Sequence, residues 1–301
     1  MGALRGDNDG NTAQIASTMR GRSWQWAGLL LMTTTAFIVA AVFALNSTLA
    51  KAPAADPPAR HAGTSMLAEH RVIGSPPVGA LFYRENGRVG RHFCTASAVA
   101  STTGDLVITA AHCVTGVSLS PASGVVFAPD YANGKFPHGL WTVTKMFVDA
   151  NWSANQDPND DVAFLEVEPL NGPQVPAGEA APPTSLQRAA GAEQIRFNAP
   201  LPEPILAVGY NDGSSTPISC ATRAVAFRPG SLNQVMFVCP GFSDGTSGGP
   251  FLSDFSVATG TGAIIGVIGG YQQGGDTPVI SYSSAFAANI KALYQHVLKT
   301  G

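Results

Sequence analysis

Leu106-Val107-Ile108-Thr109-Ala110-Ala111-His112-Cys113 reads as an apolar strand that runs through two alanines onto a histidine with a cysteine beside it. Two other segments carry the same mark of chemistry set at the edge of a strand. Asp160-Asp161-Val162-Ala163-Phe164-Leu165 puts acids directly before an apolar run, and Gly245-Thr246-Ser247-Gly248-Gly249-Pro250 encloses a serine in glycines. A serine hydroxyl is a weak nucleophile until a neighbouring imidazole takes its proton. The imidazole in turn needs a buried carboxylate to fix its tautomer and stabilise its cation. Glycines around Ser247 let the backbone turn sharply, so that the N–H groups of Gly245 and Ser247 can face a developing oxyanion. Three acids, Asp157, Asp160 and Asp161, compete for the carboxylate role.

Outward from these segments, short apolar runs alternate with turn residues. The expected strands of a first lobe are Val78–Tyr83, His92–Ala100, Leu106–Thr109, Gly124–Ala128, Trp141–Val148 and Val162–Val167. Asn86-Gly87 and Gly104-Asp105 supply turns between them. Residues 169–192 form a Pro/Gly/Ala stretch that reads as a linker between lobes. Strands resume at Ile205–Tyr210, Ile218–Phe227, Gln234–Cys239, Pro250–Leu252, Gly262–Gly269 and Pro278–Tyr282. One helix is expected, from Ser284 to about Lys299. Phe286, Ile290, Leu293, Tyr294 and Val297 make one apolar stripe of helical period along it. Ser284 is its expected N-cap, and the second lobe is its expected docking surface.

The composition agrees. The 301 residues include 33 Gly and 22 Pro but only 12% charged residues, with a net charge of −3. Many short strands fit better than long helices, and no basic cluster beyond the N-terminal region offers a nucleic-acid footprint. Near the start, Arg20 and Arg22 precede an uncharged run from Ser23 to Ala50, with Trp24 and Trp26 at its edge. A positive flank, an apolar core and a small-residue end have the order of an export signal, here cleaved near Ala50. The run is also long enough to remain as a membrane anchor over residues 24–50. Residues 51–71 read as a flexible linker or pro-segment. All four cysteines, Cys94, Cys113, Cys220 and Cys239, follow it. An even count in an exported chain reads as disulfides, with three possible pairings, and the absence of CxxC spacing speaks against a zinc knuckle.

TAAHC at 109–113, GTSGGP at 245–250 and HFCTASAVA at 92–100, in His-Asp-Ser chain order, closely resemble the trypsin/chymotrypsin-like serine peptidases. The approach FVCPGFSDGTSGGPF resembles the bacterial branch that includes glutamyl-endopeptidase-like enzymes. The resemblance covers roughly residues 72–298. It implies His112, Asp161 and Ser247 as catalytic triad, with Asp160 a solvated loop carboxylate. It also implies disulfides Cys94–Cys113 and Cys220–Cys239. Gly241, where trypsin has its acidic pocket residue, and Asp244, Ile268, Gly269 and Gly270 are the expected substrate-binding positions. Ile268 stands where Glu-specific relatives place a pocket histidine, so a small or apolar residue before the scissile bond is expected. Arg71-Val72-Ile73-Gly74 resembles the animal activation site. Thr246, however, replaces the aspartate that pairs there with a new N-terminus, so the loop before the nucleophile is expected to be held by hydrogen bonds instead.

The expected fold is therefore all-β: two antiparallel six-stranded β-barrel lobes of chymotrypsin type, at about 72–170 and 193–283, with a C-terminal α-helix at 284–299. The expected function is an exported serine endopeptidase, monomeric, acting on polypeptides, without metal or organic cofactor. It meets a membrane only through its N-terminal hydrophobic segment. A protease-fold binding protein and an esterase with the same triad are the competing classes.

Overall fold

The run Leu106–Thr109 forms strand β3, and all four of its side chains are buried. In the computed structural model, residues 75–120, 123–170 and 184–300 are described. They fall within one compact unit, Thr64–Gly301. The expected signal or anchor at 1–50, the linker at 51–71 and the segment Arg71–Gly74 lie outside the described residues. Among the described residues, no helix is long and apolar enough to cross a membrane.

Around β3 the first lobe closes into an antiparallel barrel. Its members are β1 (Val78–Glu85), β2 (Arg88–Val99), β4 (Val125–Pro129), β5 (Trp141–Val148) and β6 (Ala163–Pro169), in the order β1-β2-β3-β6-β5-β4. Asn86 and Gly87 both take positive φ, as the two-residue turn between β1 and β2 requires. Leu81, Val107, Phe127, Trp141 and Leu165 fill the barrel. A short helix, α1 (Ala150–Asn155), lies between β5 and β6, with Asp149 capping it through the Asn151 N–H.

The expected interlobe linker is partly structured. Its second half forms α2 (Leu186–Ala190), because Leu186 and Ala190 share one helix face and both bury against the first lobe. The Leu186 N–H donates to Asp105 Oδ1 at 2.9 Å.

The second lobe holds β7 (Gln194–Ile195), β8 (Glu203–Gly209), β9 (Ile218–Phe227), β10 (Gln234–Val238), β11 (Pro250–Ser256), β12 (Thr261–Val267) and β13 (Ile280–Ser284). Their order is β13-β10-β9-β8-β11-β12-β7, antiparallel except for β7, which pairs parallel to β12. Six of these strands are the expected ones. The seventh, two residues long, is too short to carry a periodic signal. Just beyond β12 the chain meets β13, where the Gly269 N–H donates to Tyr282 O at 2.9 Å.

The C-terminal helix α3 (Ala288–Thr300) starts four residues later than expected. Ser284 does not cap it. That residue continues β13 opposite Gln234, and its hydroxyl donates to Pro158 O. The apolar stripe is as read, but it does not dock on the second lobe alone. Ile290, Leu293 and Val297 pack in one cluster with Val99, Ile108 and Phe164 of the first lobe and Leu206, Leu252 and Ile264 of the second. The Tyr294 hydroxyl donates to Ala100 O at the end of β2. Burying each such aliphatic side chain is worth about 1.5–3 kcal/mol, so the helix stabilises the seam between lobes, where the cleft lies.

Candidate active site

His112 sits on a single 3-10 turn, Ala111–Cys113, immediately after β3. Ala110 and Ala111 are small enough to be completely buried there. The bridge from Cys113 to Cys94 on β2 pins the turn to the barrel wall. Asp161 follows a second 3-10 turn, Pro158–Asp160, which Asp157 caps by accepting the Asn159 N–H. The Asp161 carboxylate is wholly buried. It clasps the histidine twice: Oδ1 accepts the His112 backbone N–H at 2.8 Å and Oδ2 lies 2.8 Å from His112 Nδ1. A carboxylate can only accept here, so Nδ1 carries the proton and Nε2 keeps its lone pair. The Gly270 N–H is the carboxylate's third donor, reaching Oδ2 at 2.7 Å.

Asp160 points elsewhere and is not the solvated carboxylate expected of it. It is 3% exposed and accepts from Asn289 of α3 at 2.7 Å and from Asn151. Burial pushes its carboxyl above the usual range. It anchors the C-terminal helix to the turn that positions Asp161.

Ser247 lies on the loop between β10 and β11, and its carbonyl accepts the Thr95 N–H at 2.7 Å. Glycine is obligatory on both sides. Gly248 has φ +82, and a Cβ there would come within 2.1 Å of Thr109 Oγ1 and of Thr95 O. Gly245 has φ +91, with Asp212 N 2.5 Å from the place of its missing Cβ. Among the described residues, neither the Gly245 nor the Ser247 N–H donates to a protein acceptor. No hydrogen bond joins Ser247 to His112 among the described residues, although both line the same cleft. Such bonds are often long before substrate binds.

That cleft, of about 620 Å³, also takes in Gly245, Asp244, Ile268 and Phe242. Gly241, Gly269 and Gly270 do not line it. Gly241 is exposed and ties its N–H to Pro278 O. Gly269 and Gly270 are buried behind Asp161, whose Oδ2 lies 3.0 Å from where a Cβ of Gly269 would be. They support the acid and do not edge the cleft.

Three features were not read from the sequence. Thr95 carries a hub of contacts: Oγ1 donates to Gly245 O and accepts the Tyr210 N–H, while its carbonyl accepts from Thr109. The loop Tyr271–Gly274 lines the cleft with two consecutive non-glycine residues, Gln272 and Gln273, at φ +53 and +51. Such backbone is rare for glutamine and gathers at functional sites. The third is Asn211, which accepts the Ser243 N–H and donates to Gly241 O.

Both expected disulfides are present, Cys94–Cys113 and Cys220–Cys239, and no cysteine is free among the described residues. A family model described as a trypsin-like peptidase domain matches residues 94–260. Among solved structures the chain is similar to the protease Anisep from Arthrobacter nicotinovorans. Identity is 22% and the TM-score 0.60, covering 76% of this chain and 98% of that one. It is also similar to a thermostable serine protease, AL20, from an extremophilic microorganism, at 27% identity and a TM-score of 0.60, covering 75% and 99%. A Glu endopeptidase is similar at 16% identity and a TM-score of 0.54, covering 77% and 95%. No curated protein matches the chain in sequence.

Proposed function

The chain belongs to the trypsin-like peptidase family, and on that premise we propose that it is an exported serine endopeptidase working through an acyl-enzyme. The observation that carries this reading is the buried Asp161 carboxylate clasping both N–H groups of His112, which lines one cleft with Ser247. Ser247 Oγ attacks the scissile carbonyl carbon while His112 Nε2 takes its proton. The carbonyl oxygen becomes an oxyanion facing the N–H groups of Gly245 and Ser247. Each such donor is typically worth about 2.7–4 kcal/mol of transition-state stabilisation. Collapse breaks the C–N bond, and His112 returns its proton to the leaving amine. Water then repeats the sequence on the acyl-enzyme and frees Ser247. Every charge that develops has a protein partner in this scheme, without a metal or organic cofactor.

Ile268 and Phe242 give the cleft apolar walls, which favours a small or apolar residue before the scissile bond. Two disulfides fit an oxidising compartment, and residues 1–50 are read as the export signal or anchor. Monomeric action on polypeptides completes the proposal.

The test is labelling by a serine-directed fluorophosphonate together with peptide and ester turnover, in the native chain and in Ser247→Ala. Expected are a single label on Ser247, peptide cleavage, and loss of both in a folded Ser247→Ala. A protease-fold binding protein shows neither label nor turnover. An esterase shows the label and cleaves esters only.

A further inference from the structure

Away from the cleft, the second lobe carries a cavity of about 100 Å³ where β10, β12 and the lead into α3 meet. Val235, Ile265 and Phe286 form its floor, and all three are buried. The exposed Arg228 and Asn198 and the half-buried Asn233 stand at its rim. It shares no lining residue with the cleft that holds His112 and Ser247.

The rim is fixed by bonds that leave its recognition groups free. Arg228 directly follows β9, and its Nη1 donates to Gln234 O on β10. Among the described residues no carboxylate pairs with it, so most of its five N–H donors have no protein acceptor. The Asn198 N–H donates to Phe286 O at 2.8 Å, which holds its loop at the cavity. Asn233 is held at both backbone groups, its N–H donating to Asn159 Oδ1 and its carbonyl accepting from Ala285. Both carboxamides are left to face an occupant. No acid lines the cavity, and none stands in the first turn of α3, whose dipole makes that end electropositive.

These groups define the occupant. A guanidinium takes a carboxylate as a fork of paired N–H donors. A carboxamide oxygen beside it accepts an amide N–H, and the apolar floor takes an aliphatic side chain. An engineered cavity of about 150 Å³ holds benzene, so about 100 Å³ is room for roughly four carbons. A carboxylate, an amide N–H and a branched alkyl group carried on one carbon are the last residue of a polypeptide. We infer that this cavity binds the C-terminal residue of a polypeptide that ends in leucine or a similar aliphatic side chain. The site is independent of the chemistry at Ser247.

The experiment uses the full chain carrying Ser247→Ala and an N-acetylated leucine analogue with a diazirine in its side chain. Irradiation is followed by mass mapping of the labelled peptides. Saturable labelling of the peptides that hold Val235, Ile265 or Phe286 is expected. N-acetyl-leucine should displace the probe, while N-acetyl-leucinamide, without the carboxylate, should be about tenfold weaker or worse. Arg228→Gln, at an exposed position, should lose the labelling and keep the fold, checked by an unchanged unfolding midpoint. Labelling confined to the cleft, labelling that does not saturate, or labelling unchanged in Arg228→Gln overturns the site. Equal competition by the amide overturns the carboxylate assignment. Equal competition by 4-methylpentanoate, which has no amide N–H, overturns the polypeptide end in favour of a small carboxylate.

Discussion

Replacing Glu193 by Gln should stabilise the protein above neutral pH and leave it unchanged in acid. Glu193 lies where the chain enters the second lobe and has no exposed surface. No cation pairs with it among the described residues. Its backbone links to β2, with its own N–H donating to Ala98 O and its carbonyl accepting from Ala100. Its side chain ties the start of the described domain to the β11–β12 hairpin. Oε1 lies 2.8 Å from Ser75 Oγ, and Oε2 accepts the Gly262 N–H. Ser75 Oγ is also 2.9 Å from Gly260 O. One hydroxyl hydrogen cannot serve both Glu193 and Gly260. If the carboxyl is protonated the chain of donors closes: Oε1–H to Ser75, Ser75 O–H to Gly260 O, Gly262 N–H to Oε2. Burial pushes the Glu193 carboxyl up to about 7, in agreement with that proton count.

The sign follows. A carboxyl whose folded value is raised binds a proton in the native state that the unfolded chain has lost. Stability from this group is fully present below about 4.5, falls by about 1.4 kcal/mol per pH unit above that, and is gone once pH passes about 7. The total is on the order of 3 kcal/mol, or roughly 6–12 °C in Tm for a domain of this size. Gln reproduces the neutral acid, its NH₂ donating to Ser75 and its carbonyl accepting from Gly262. The assay is thermal unfolding of Glu193→Gln against its parent at pH 4 and pH 8.5, both carrying Ser247→Ala to prevent self-digestion. Equal Tm values in acid and a higher variant Tm in base are expected, because other titrating groups cancel in the difference. A difference that does not change with pH would refute the protonated-acid argument.

Asp161→Asn should lower kcat by about 10⁴-fold on a peptide ester, as expected when the imidazole loses its correct tautomer. Asp160→Asn should instead lower the unfolding midpoint through its Asn289 contact and spare most of kcat; the reverse pattern would reassign the acid. Thr95→Val leaves the buried Tyr210 N–H and Gly245 O short of a partner, at about 1–3 kcal/mol for each unsatisfied group. Thr95→Ser should recover both stability and kcat, measured by denaturant titration and ester turnover. Chains beginning at successive positions from Lys51 to Ser75 should have similar kcat/KM once folded; a sharp maximum only at Val72 would show a switch driven by a new N-terminus.

The lobes were legible because their strands are short apolar runs bounded by turn residues, and that pattern survives without knowledge of partners. Leu106–Thr109 forms with the ends expected, and Asn86-Gly87 makes its turn. What escaped was set by contacts distant in sequence. Ser284 has the chemistry of an N-cap, but pairing with Gln234 outcompetes the helix for it. Leu186 and Ala190 looked like linker composition until a barrel offered a surface to bury them. Asp160 and Asp161 are neighbours of one residue type, and their environments are separated by partners distant in sequence: Asn289, some 130 residues on, for Asp160, and His112 and Gly270 for Asp161. Glu193 gave no signal because its burial depends on Ser75 and Gly262.

Thr246 shows how a local departure is absorbed by the fold. Where the animal enzymes use an aspartate and a buried ammonium, either alone would be a costly unpaired charge. Here the Thr246 hydroxyl donates to Ser243 O at 2.7 Å, closing the loop on itself without charge. Asp212 N donates to Asp244 O, and Asn211, just after β8, holds Ser243 and Gly241. These bonds come from the second lobe. Thr95 brings the first lobe to the same loop, through Gly245 O and Ser247 O. The donors proposed for the oxyanion are therefore positioned by neutral hydrogen bonds from both lobes, and α3 fastens those lobes along their seam. On the strength of these bonds, chains with different start sites are expected to keep this loop, and the series of start sites from Lys51 to Ser75 is the measurement that checks it.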